Sequence, residues 1–181
     1  VSSAFIHLKG FIIKPNIKLN IPTFKNITPF TETQMNNPTF EIPDNIDAKE
    51  ADYLYLKTSG ILNAGSGLFT SIKIYKNEVI SLFKGDILSD AEAKKRADKN
   101  LDGYFISMLN GSIMDSNHVK CYAKYANDAE GMAVLKFKNN SKIALDEDDN
   151  VCLVALRNIT IGEEIFCGYG KPYWVNFKKS V

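Results

Sequence analysis

A chain of 181 residues with 45% hydrophobic and 24% charged content has the size of one domain and can bury a substantial core. Its 22 basic and 21 acidic residues leave a net charge of +1, which gives no argument for direct nucleic-acid binding. No apolar run reaches the length of a bilayer span, and Phe11-Ile12-Ile13 is too short for a signal-peptide core, so no membrane association is expected.

The chain begins at Val1, which reads as a fragment or processed piece. Alternation in Ala4–Leu8 and Ile17–Ile21 predicts short strands, and Pro15, Pro22, Pro29, Pro38 and Pro43 break any longer element. Residues 1–51 therefore read as a strand-and-loop extension, and residues 52–181 as the main domain. Phe5, Phe11, Phe24, Phe30 and Phe40 argue against a disordered linker there. Tyr53–Lys57 is strand-like, Asn63–Gly67 is a glycine turn, and Val79–Phe83 is a strand closed by Gly85-Asp86. Ser89–Asn100 is the clear helix: Ser89 is a good N-cap, Glu92 completes a capping box, and acids precede bases along the dipole. The basic run Lys94-Lys95-Arg96 reads as its solvated face.

Tyr104–Met108 and Ser112–Asp115 form a hairpin across Asn110-Gly111. Asn127-Asp128 is a turn, and Lys142–Leu145 and Val151–Leu156 are strands joined by the acidic tip Asp146–Asn150. That tip lacks the glycine and terminal glutamate of a calcium loop. Cys121, Cys152 and Cys167 show no paired spacing, and with His7 and His118 they make no zinc pattern, so no metal is expected. A reducing, intracellular compartment follows.

The most telling stretch is Ile161–Trp174, with two carboxylates, an apolar run, and Tyr169 between Gly168 and Gly170. Glycines on both sides suit a phenol presented to a site, although a turn leading to an aromatic core plug fits the same residues. Gly162-Glu163-Glu164-Ile165-Phe166-Cys167-Gly168-Tyr169-Gly170 resembles the G-E-E-L-x-x-x-Y-G signature of the SET-domain protein lysine methyltransferases. Upstream, Gly65-Ser66-Gly67-Leu68-Phe69 resembles the family's G-x-G-L-F, and Phe83-Lys84-Gly85-Asp86 its Y-x-G-E. Lys124–Ala129 resembles R-F-x-N-H-S, and Asn139-Asn140-Ser141 the P-N-A/C that follows. The ordered match runs from about Tyr53 to Trp174.

The resemblance implies a mostly β, irregular α+β fold of small curved sheets with a knot-like C-terminal crossing. It also implies S-adenosylmethionine as cofactor and a lysine-bearing protein or peptide as substrate, with a histone tail and a nuclear location as the family's commonest case. Carried over residue by residue, it makes Tyr169 catalytic and Tyr104 a second candidate, with sheet packing the alternative for Tyr104. Ala64, Gly65, Ser66, Gly67, Asn127 and Asp128 would hold the cofactor, and Trp174 would cover its adenine. Asp128 replaces the usual histidine, whose main chain makes the contact. Phe83 and Cys167 would line the lysine channel. Phe83 lacks the hydroxyl of the usual tyrosine, and core packing would account for it equally. At Cys167 a small side chain in place of an aromatic ring would permit di- or trimethylation. The departures at Phe83 and Asp128 also fit a catalytically silent SET-like binding module.

Overall fold

The structure is a computed structural model, and it describes residues 6–7, 43–108, 110–130, 136–170 and 173–174. Strand β1 (Ile6–His7) is followed by β2 (Asp44–Asn45), the short helix α1 (Glu50–Tyr53), β3 (Leu54–Thr58), β4 (Ser66–Thr70) and β5 (Glu78–Leu82). Next come β6 (Asp86–Leu88), helix α2 (Asp90–Ala97), β7 (Phe105–Ser107) and β8 (Ile113–Asp115). A 3₁₀ turn (Ala123–Tyr125), β9 (Ser141–Leu145), β10 (Val151–Ala155) and β11 (Glu164–Ile165) complete the order. The chain divides into two units, Val1–Leu8 with Ile42–Val181 and Lys9–Glu41, and every described residue lies in the first. The predicted strand Ile17–Ile21 and the N-terminal phenylalanines lie outside the described residues.

Three small sheets carry the fold, in strand orders β1-β7-β8-β6, β2-β5-β10-β9 and β11-β4-β3. This is the mostly β architecture with few helices that the sequence predicts. Leu68, Ile80, Ile106, Leu153 and Ile165, drawn from all three sheets, meet in one buried cluster. Strand β10 is buried along its whole length: Val151, Leu153 and Ala155 face that cluster, while Cys152 and Val154 pack with Val79 on the other face. A strand covered on both faces reads as an unbroken apolar run, and Val151–Ala155 is one. Among the described residues no helix is long and apolar enough to cross a membrane.

Helix α2 starts where its capping box predicts, with both Ser89–Glu92 bonds formed. Arg96 from its last turn pairs with the buried Asp115 of β8 and, at 3.4 Å, with Asp86 of β6. The face read as solvated therefore gives one of its three cations to fastening the helix onto the β7–β8 hairpin. Tyr53, predicted to begin a strand, instead ends α1. Its hydroxyl donates to the Ile80 carbonyl at 2.9 Å, and Glu50 accepts from Ser81 Oγ and the Leu82 N–H. These long-range bonds outweigh the local strand preference. Residues before position 52 thus supply β1, β2 and the start of α1 to these elements: β1 pairs in parallel with β7, and β2 with β5.

Candidate active site

The glycine turn is built from inside the chain. Asn63 and Gly65 lie at φ 63° and 74°, and the Gly65 carbonyl accepts from the Ser59 N–H at 2.9 Å. A Cβ at Gly65 would meet nothing within 4 Å, so glycine is needed there for its left-handed backbone. Gly67 differs. A Cβ there would stand 2.1 Å from Glu164 Oε1, because the Glu164 carboxylate lies against the strand. That carboxylate accepts from Ser59 Oγ at 2.6 Å and from the Gly60 N–H at 2.8 Å, bolting the start of the turn to β11. Asn127 reaches the same turn, its Nδ2 donating to the Ser66 carbonyl at 3.1 Å.

The stretch from Glu163 to Tyr169 runs between two other segments. On one side the Cys167 N–H donates to the Asn127 carbonyl at 2.9 Å. On the other, the Asn140 and Ser141 N–H groups donate to the Phe166 carbonyl. The Asn140 amide then acts as an inserted peptide unit: Oδ1 accepts from the Phe166 N–H and Nδ2 donates to the Glu164 carbonyl, both at 2.8 Å. Asn140 is wholly buried, and only a side chain with adjacent donor and acceptor completes that ladder. The C-terminal segment is thereby held between the two ends of the connection 127–140.

This crossing delivers Tyr169 to a pocket that Phe83, Tyr104, Cys167 and Tyr173 also line. Gly170 lies at φ 83°, a left-handed backbone that glycine adopts without strain. Tyr173 meets the Tyr169 ring edge-on at 4.8 Å, and Trp174 stacks on it at 6.1 Å. Burial pushes the Tyr169 phenol far above its ordinary value, and Tyr173, Cys167 and Asp128 act in the same direction. It stays a neutral hydroxyl that can donate and accept hydrogen bonds and cannot serve as a standing base. Burial likewise raises the Cys167 thiol to about 12, which excludes a thiolate nucleophile.

The sequence reading missed three neighbours. Tyr173 lines the pocket itself. Lys124, also in the lining, points its ammonium at the carbonyls of Ser116, Asn117 and Val119 at 2.9–3.0 Å, and stands 5.2 Å from the Tyr104 ring. It is a fixed positive charge beside the cavity. The third is the side chain of Asp128, for which only a main-chain role was expected. Its Oδ2 accepts from the Tyr169 N–H and the Trp174 indole N–H, each at 2.8 Å. No short spacing announces any of these, although a carboxylate standing where the family has an imidazole was a visible anomaly. Among the described residues no group of three His, Cys, Asp or Glu side chains is arranged for a metal ion.

The predicted site residues thus fall into three touching groups: the glycine turn with Asn127, the crossing with Asp128 and Trp174, and the pocket with Phe83, Tyr104, Cys167 and Tyr169. Fold and pocket together define a SET-type domain. The SET domain family profile matches residues 65–170, more than half of the chain, and the chain belongs to this family, whose members are generally S-adenosylmethionine-dependent protein lysine methyltransferases. Among solved structures it is similar to a humanized mutant of the Chaetomium thermophilum Polycomb Repressive Complex 2 bound to an inhibitor, with TM-score 0.55 and 22% identity. That match covers 66% of this chain and 15% of the other, and it carries the fold.

Proposed function

We propose that this SET domain transfers a methyl group from S-adenosylmethionine to the side-chain amine of a lysine in a protein substrate. The observation that carries the reading is the neutral hydroxyl of the half-buried Tyr169 in a pocket walled by Phe83, Tyr104, Cys167 and Tyr173. The residues present fit the cofactor. Asn127 Oδ1 has no hydrogen-bond partner among the described residues, and with the Ser66 carbonyl it offers acceptors to an α-ammonium. Space lies open beside Gly65. Ala64, Gly65, Ser66, Gly67, Asn127 and the Asp128 main chain would hold the cofactor, with Trp174 beside them. When bound, S-adenosylmethionine supplies an electrophilic methyl on a sulfonium.

The chain's own part is to position and to dry. A lysine amine must lose its proton before it attacks, against a free pKa near 10.4. A pocket with a fixed Lys124 cation on its wall disfavours the ammonium form. The Tyr169 hydroxyl would accept from the neutral amine and orient its lone pair. Cys167, small and a weak hydrogen-bond partner, leaves room for a second and third methyl. A histone tail and a nuclear location are the working choices for substrate and place. Phe83, which lacks a channel hydroxyl, favours the alternative of a silent binding module.

Calorimetry with S-adenosylmethionine, followed by methylation of a mixed histone substrate, separates the two readings. The expected result is cofactor binding, turnover, and products with up to three methyls by mass spectrometry. Tyr169→Phe should abolish transfer while leaving cofactor affinity within about tenfold, since it removes one hydroxyl and keeps the ring. Binding without turnover would favour the silent module, and full activity in the variant would remove Tyr169 from the mechanism.

A further inference from the structure

Asp128 carries an unusual load for one half-buried carboxylate. Its Oδ1 accepts from the Glu130 N–H at 2.9 Å and from Asn139 Nδ2 at 3.0 Å. Its Oδ2 accepts from the Tyr169 N–H and from Trp174 Nε1, each at 2.8 Å. Four donors converge on two oxygens, and hydrogen bonds to an ionised acceptor are roughly twice as strong as neutral ones. The geometry has a backbone cause. The parallel bridge between Asn127 and Phe166, with the Cys167 N–H on the Asn127 carbonyl, brings the next residue, Asp128, alongside Tyr169.

Asn139 is fixed in turn, because its Oδ1 accepts from the Ala129 N–H at 2.9 Å. One oxygen of Asp128 is therefore anchored to its own loop, and the other reaches across the crossing to the phenol-bearing residue and the indole stacked on its ring. We propose that the Asp128 side chain is a positioning residue, which sets the Tyr169 main chain and the Trp174 ring in a single geometry and so aims the Tyr169 hydroxyl. Its consequence for turnover rests on the methyl-transfer reading, whereas the geometry does not.

Trp174 is the single tryptophan of the chain, so its emission reports this contact directly. The test compares the full chain with Asp128→Asn, first without cofactor or peptide. Asparagine keeps the size but offers one acceptor oxygen, and it turns an N–H toward donors on one side or the other. The expected result is a red-shifted emission and acrylamide quenching raised by about twofold, as the indole loses its acceptor. In turnover, kcat should fall by about tenfold or more with KM for the peptide within about threefold, because aim is lost and peptide binding is not, while KM for the cofactor rises as Trp174 shifts beside it.

Asn139→Ala removes one of the two Oδ1 anchors and should move both readouts the same way by less. If Asp128→Asn does not fold, this variant decides the matter. Unchanged emission overturns the proposal whatever the activity, and so does altered emission with unchanged kcat. A native chain without turnover removes the methyl-transfer reading instead, and the emission alone then decides for or against Asp128.

Discussion

At the scale of single residues, the site is a set of polar groups whose partners lie far away in sequence. Asn127 is half-buried, with its Nδ2 spent on the Ser66 carbonyl and its Oδ1 without a hydrogen-bond partner among the described residues. Asn127→Ala should weaken S-adenosylmethionine binding by more than about 1 kcal/mol, since it removes an acceptor proposed for the ligand's ammonium. Titration calorimetry checks this, and an unchanged affinity would leave Asn127 a purely structural turn residue. The motif positions Gly65, Asn127, Cys167 and Tyr169 were legible because each sits in a short, ordered signature. The partners of Glu164 and of the Asp128 side chain were not. Glu164 acts on Ser59, 105 residues away, and Asp128 on Tyr169, 41 residues away, and local pattern holds no information about such pairs.

At the scale of elements, the outcome tracks how local each cause is. Helix α2 and the β7–β8 hairpin were readable because a capping box and an Asn-Gly turn are complete within a few residues. Strand β6 has three residues and exists through its pairing with β8, so nothing within Asp86–Leu88 marks it as a strand. The crossing is the extreme case, since its ladder is completed by a side chain rather than by backbone. Asn140→Ala leaves the Phe166 N–H and the Glu164 carbonyl buried without these partners, and should destabilise the fold by about 2–5 kcal/mol. Asn140→Asp turns a buried carboxylate oxygen toward the Glu164 carbonyl and the Glu163 carboxylate, so it should cost at least as much as alanine. Equal, small losses for both in denaturant melts would mean that the amide is not what holds the segment.

At the scale of the whole molecule, acid tests the same region. Burial would raise the Glu163 carboxyl, but hydrogen bonds from Arg157 (Nη2 at 2.5 Å), the Thr160 N–H and Asn140 hold it at about 2 against an ordinary 4.5. A depressed folded value stabilises the fold above about pH 4.5, and that contribution is lost as the pH falls toward 2. Thermal melts of Glu163→Gln should therefore lie below the native chain at pH 6 and converge with it near pH 2. A gap constant across that range would show that Glu163 does not titrate with folding. The segment that Glu163 opens has a further consequence in time. Residues 163–169 complete ladders begun at 127 and 140 and cover β4, so they can enter only after those partners exist. Closing long-range contacts is slow, because chain entropy is lost before the contacts form. On the ribosome the β11-β4-β3 sheet would wait, with that edge of β4 unpaired and the pocket open, until Tyr169 has emerged from the exit tunnel. A chain stopped before Glu163 should be cut rapidly by protease within β3–β4, and resistance equal to that of the full chain would refute this order of assembly.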